Sequence, residues 1–284
     1  MISLDASAVL LQWATGGLVF LWVTTRRREV GLGYGWLMRA VYGIIAAGAL
    51  WVASATEWVP VRDLASVGVV LASFGALIVS VLRRRAGVRG QLEVAERRTA
   101  RVATMTGIDR DVQVFDRSVA EFPPALDLIA PALGVIGLVG AAFAGGESVV
   151  LSTARMIVGA AFLGAVSDAM SLGHWYLVQP GLARGPLLEL VRWIGWIWPF
   201  EVGLLLFPPG MISAIDGTIE DGYNGLLGWF WIACAAATIV LVVVTRAALA
   251  ERQYSAVMAA TGLLYLAILT AFGTDLVARA LLAL

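Results

Sequence analysis

The placement of arginines between eight long apolar stretches constrains this chain more than any other feature of its sequence. Read as membrane spans, the stretches run about Ala8–Thr24, Leu37–Ala55, Leu64–Leu82, Pro124–Ala144, Val149–Leu172, Leu187–Phe207, Leu226–Val244 and Tyr254–Thr274. Each approaches the ~20 residues that a helix needs to cross the hydrocarbon core. Fifteen of the 20 arginines then fall on one side: Arg26, Arg27 and Arg28, nine in segment 83–123, Arg184, Arg246 and Arg252. The other side holds Arg62, with Arg279 near the outer end of the last span. Arginine excess marks the cytoplasmic face. The expected fold is therefore an all-α integral membrane bundle of about eight transmembrane helices, with both termini outside and one ~40-residue cytoplasmic loop, 83–123. Residues 1–284 are read as a single polytopic domain in a prokaryotic plasma membrane. Positive charge follows the first apolar run rather than preceding it, so that run is expected to be a retained helix and not a cleaved signal peptide.

Composition agrees and removes several chemistries. The chain is 60% hydrophobic and 14% charged, against roughly a quarter charged in soluble domains. All 20 basic residues are arginine. Without lysine, neither a retinal or pyridoxal Schiff base nor a Walker lysine is possible. Cys234 is the sole cysteine, and His174 the sole histidine. Disulfides within the chain, cysteine metal clusters and a haem held between two of its histidines are thus excluded. No cofactor and no metal are expected.

The loop carries nine arginines against six acids, a pattern read as positive-inside topology with lipid head-group contact. One aromatic, Phe115, makes a poor stacking surface, so no nucleic-acid partner is expected. The Gly-rich segment from Gly31 to Trp36 lacks the strand that a nucleotide loop requires and reads as a flexible connector. Spans four and five present Gly134, Gly137 and Gly140, and Gly159 and Gly164. Small residues let membrane helices approach closely, so these two spans are expected to pack on each other. The same faces offer an interface to a partner membrane subunit or a second copy.

Candidate site residues follow from the cost of an intramembrane charge, about 2.5–3.5 kcal/mol on insertion scales. Spans five and six hold Arg155, Asp168, Arg192 and Glu201. In antiparallel neighbours, Arg155 with Glu201 and Asp168 with Arg192 both fit a common register to within about 3 Å. Rotation separates the two members on each helix by about 140° and 180°, so one pair at most shares the seam. Arg155–Glu201 is the expected pair. Pro199 bends the helix beside Trp198 and Glu201, which shapes the candidate ligand or ion-coupling site. His174, placed in a cytoplasmic connector, is a weak cofactor ligand, since zinc needs three or four protein donors. The outer acids Asp216, Glu220 and Asp221 read as a solvated loop.

No catalytic pattern stands out. The leading functional reading is a permease-like or ion-coupled transport role built on the buried charge pair. The alternative is a non-transporting subunit of a larger complex, possibly respiratory and associated with quinone or haem. A lipid-modifying membrane enzyme comes third.

Overall fold

The computed structural model describes residues 4–88, 119–144, 148–178, 182–207, 210–251 and 253–282. Most of the long loop therefore lies outside the described residues. The helices are α1 (Ala6–Thr25), α2 (Leu32–Ala55), α3 (Pro60–Leu82), α4 (Ile129–Ala144), α5 (Val149–Val178), α6 (Gly185–Leu206), the short α7 (Met211–Ile215), α8 (Leu226–Ala250) and α9 (Tyr254–Leu282). A 3₁₀ turn, Pro124–Leu128, leads into α4. Among the described residues there is no strand. Among the described residues, seven helices are long and apolar enough to cross a membrane. The remaining long one, α6, has 22 residues but carries Glu189, Arg192 and Glu201.

Local chemistry sets several helix starts. Asp5 accepts from Ala8 N–H at 3.0 Å and caps α1, satisfying one of the donors that a helix N-terminus leaves open. Pro60 occupies the first turn of α3, where its missing N–H costs nothing. Asp221 accepts from the N–H groups of Tyr223, Gly225 and Leu227 at 2.8, 2.9 and 2.9 Å. Gly225, at φ +79°, supplies the left-handed residue that turns this loop into α8.

Polarity is arranged inside out relative to a soluble protein. Gln12, Arg39, Arg62, Asp127, Arg155, Asp168, Glu201, Asp275 and Arg279 are buried, while Leu71, Ile78, Val150, Trp196 and Leu269 are exposed. An apolar exterior of this kind is matched to lipid. The central helix is α1: 72% of its apolar window is buried, against 33% for α3, α8 and α9. It packs on α2, α4 and α5; α3 lies between α2 and α4, and α9 packs on α8 and α5. Glycine permits the closest approach. A Cβ on Gly16 would lie 1.6 Å from the Ala160 carbonyl oxygen, and one on Gly164 would lie 2.1 Å from the Gly16 carbonyl carbon.

Four expectations are corrected. The glycine faces of α4 and α5 do not chiefly meet each other. Gly134 faces Thr15, Gly137 faces Leu11 and Ala65, Gly140 faces Val61, and Gly164 faces Gly16. The α4 face thus packs on α1 and α3, and the α5 face on α1 and α9. The Gly31–Trp36 segment is no loose connector, because α2 begins at Leu32 and its Gly33 makes room for Trp175. Helix α5 runs on to Val178, so His174 lies on a helix and not in a connector. Helix α9 continues past Thr274 to Leu282, which carries Asp275 and Arg279 into the bundle.

Candidate functional site

Four helices bring five polar side chains together near one end of the bundle. Arg279 Nε donates to both oxygens of Asp275, at 3.0 and 2.8 Å, one helical turn apart on α9. Gln12 Nε2, from α1, donates to Asp275 Oδ1 at 3.2 Å. Glu201, from α6, joins the same group, with the Asp275 carboxylate and the Arg279 and Arg155 guanidiniums within electrostatic reach. Arg155, from α5, donates through Nε to the Leu204 carbonyl at 3.1 Å and through Nη2 to that of Phe207 at 2.9 Å. It thereby ties α5 to the end of α6, since cationic side chains satisfy the open carbonyls of a helix C-terminus. Arg279 Nη2 reaches the Arg155 carbonyl at 3.4 Å.

All five residues are at most 1% exposed. At ~1.5 Å per residue, Gln12, Arg155, Glu201 and Asp275 each lie roughly 8–11 Å from their own helix end. This shared depth is what lets them meet. Gly159 makes the space, because a Cβ there would lie 2.4 Å from Gln12 Nε2, 2.7 Å from Asp275 Oδ1 and 2.9 Å from Arg279 Nη2. Two polar atoms in the cluster, Glu201 Oε1 and Arg279 Nη1, have no hydrogen-bond partner among the described residues. Buried polar atoms are almost always paired, so these two mark the part of the cluster able to take another donor or acceptor.

Arg155 and Glu201 thus belong to one cluster, which they share with Asp275 and Arg279. Gln12, Asp275 and Arg279 were missed by reading the sequence. The signal for Asp275 and Arg279 is an acid and an arginine four residues apart in an otherwise apolar segment, which places both on one helix face.

The other candidates lie elsewhere. Asp168 is fully buried, and its two oxygens accept from Tyr34 at 2.9 Å and Tyr42 at 2.7 Å, both on α2. Arg192 is exposed on the outward face of α6, so the two do not pair. Trp198 donates from its indole N–H to the Ala235 carbonyl at 2.9 Å and fastens α6 to α8. Pro199 lies inside α6 two residues from Glu201 and cannot donate to the carbonyl one turn back. His174 is exposed and bonds through Nδ1 to the Tyr265 hydroxyl at 3.0 Å.

Two further buried arginines are held by carboxylates. Arg39 and Asp127 form a buried bidentate pair, both contacts at 2.7 Å. Arg62 binds Asp63 at 2.7 Å and Asp5 at 2.6 Å. The outer acids serve their own loop: Asp216 accepts from Thr218, and the N–H donors of Asp221, that of Gly225 foremost, hold its carboxyl below the usual range. Among the described residues no group of three or more His, Cys, Asp or Glu could hold a metal ion. No family model matches the chain, and no curated protein and no solved structure matches it.

Proposed function

We propose that this chain is a permease-like, proton-coupled membrane protein in which Glu201 and Asp275 form the protonatable centre. The observation that carries the reading is the convergence of both acids with Arg155 and Arg279 in one buried cluster fed by α1, α5, α6 and α9. Neighbouring buried carboxyl groups repel each other when both are ionised, which makes such a pair suited to binding and releasing a proton. Arg155 and Arg279 supply the counter-charge that keeps a proton exchangeable instead of fixed. The unpartnered Glu201 Oε1 and Arg279 Nη1 leave one acceptor and one donor position open to it inside the cluster. Pro199 gives α6 a point at which it can bend beside the centre.

This reading takes α6 as the eighth span. An even count returns both termini to the outer face and sets segment 83–123 in the cytoplasm of a prokaryote, as the arginine bias requires. The cluster then lies in the outer half of the membrane.

A pH step tests the function without knowledge of the substrate. A proton passing from the outer surface to the cluster crosses roughly 9 Å of a ~30 Å core. Proteoliposomes adsorbed on a capacitive electrode should therefore give a transient charge displacement after an outside pH jump. Glu201→Gln and Asp275→Asn should abolish it, while Asp127→Asn should not. Absence of any displacement in the native protein would mean a closed structural cluster and end the reading.

A further inference from the structure

Helix α6 turns a second, differently built face outward. Glu189, Arg192, Trp193, Trp196, Ile197 and Phe200 recur at helical spacing and line one groove of about 590 Å³. That volume lies within the roughly 300–1,000 Å³ of ordinary ligand sites. Trp196 and Phe200 are 70% and 63% exposed, so no part of the described chain covers them.

Charge is confined to one end. Glu189 is held by Arg26 at 2.5 Å and Arg27 at 3.3 Å. Arg192, one turn further along, meets no carboxylate among the described residues and is exposed. The groove end therefore carries more positive than negative charge. From Arg192 to Phe200 the stripe runs eight residues, ~12 Å at 1.5 Å per residue. Half of a ~30 Å hydrocarbon core is ~15 Å, so the aromatic part spans nearly one leaflet.

We infer that this groove is a retention site for an anionic phospholipid of the cytoplasmic leaflet. Its phosphate pairs with Arg192, and one acyl chain lies along Trp193, Trp196 and Phe200. Arginine snorkels toward phosphate from such a depth, with its planar fork matched to the oxygens. A neutral amphiphile would leave the Arg192 charge facing hydrocarbon. A second copy across a two-fold axis would bring Arg192 against its own equivalent, since Glu189 is already engaged by Arg26 and Arg27. The inference rests on α6 crossing the membrane, though not on the proton chemistry of the Glu201 cluster.

Brominated acyl chains quench tryptophan on contact and report the site directly. Native protein would be reconstituted in phosphatidylcholine with a minor share of brominated phosphatidylglycerol, or of brominated phosphatidylcholine. The anionic lipid should quench at roughly five- to tenfold lower content, the preference that one arginine near the surface confers. The Trp196→Leu variant should lack this sensitive component, and Arg192→Gln should lose the head-group preference. Arg192→Lys should retain part of it. Arg192 touches no acid in the fold, so these variants leave the packing undisturbed.

Equal quenching by the two lipids, or a preference that survives Arg192→Gln, overturns the proposal and leaves α6 as a span. Absence of quenching together with Trp196→Cys cross-linking between chains would put a second copy in the groove. Absence of both would remove α6 from the membrane and overturn the eight-span topology as well.

Discussion

The four ionisable groups of the buried cluster should fail together instead of one by one. In Asp275→Asn, Arg279 loses an acceptor that holds its Nε at 3.0 and 2.8 Å, but Glu201 already lies against that position. It becomes the replacement counter-charge. The loss is then about 1.5–3 kcal/mol, the worth of hydrogen bonds to a charged group. In Glu201→Gln, Asp275 keeps its bonds, and a loss of about 1 kcal/mol is expected. With both replaced, Arg155 and Arg279 remain buried at 1% and 0% exposure with neither carboxylate beside them. Stranding a buried charge in this way costs about 3–5 kcal/mol. The double variant should exceed the sum of the singles by about 0.5–1 kcal/mol, within the coupling seen between residues of one network. Adding Arg279→Met should recover much of that loss, because it removes the stranded charge. Equilibrium unfolding in mixed micelles, followed by tryptophan fluorescence, measures all four variants. Additive singles, or no recovery in the triple variant, would show that the two acids do not share these guanidiniums.

Three further outcomes follow from the packing and the charge bias. Gly16→Ala forces a Cβ into the Ala160 backbone and should cost at least the ~1–3 kcal/mol of core overpacking; Gly75→Ala, with nothing within 4 Å, should gain up to ~1 kcal/mol of helix propensity, and paired melting curves compare them. Asp168→Leu leaves the Tyr42 hydroxyl without its acceptor and should cost about 1–3 kcal/mol beyond the cavity, a penalty that adding Tyr42→Phe should lower; no recovery would mean that Asp168 is not what holds that tyrosine. Alkaline phosphatase fused at residue 105 should be inactive and at the C-terminus active, and the reverse pattern would invert the whole topology.

How far sequence alone carries can be judged from particular residues. Hydropathy located every long helix, because backbone in lipid must satisfy itself within a helix. It misjudged helix ends. The Leu32 start of α2, the Val178 end of α5 and the Leu282 end of α9 all lie where polar or aromatic residues dilute the apolar signal. There the helix persists because neighbours satisfy its side chains: Tyr34 by Asp168, Asp275 by Gln12 and Arg279. Glycine spacing identified close-packing faces but not their partners, since periodicity defines a face and not what lies opposite. Arg39 with Asp127, 88 residues apart, was hidden for the same reason.

Depth was the unused constraint. Gln12, Arg155 and Glu201 share a level roughly 8–9 Å below their helix ends, and an unpaired charge there is costly enough that a partner at the same level is required. Ending the last span at Thr274, where its hydropathy falls, left Asp275 outside the bundle. Extending α9 by two turns, to align its end with those of its neighbours, brings Asp275 to that level and Arg279 one turn beyond it. The requirement that buried charges meet at a common depth thus locates the end of α9 better than its apolarity does.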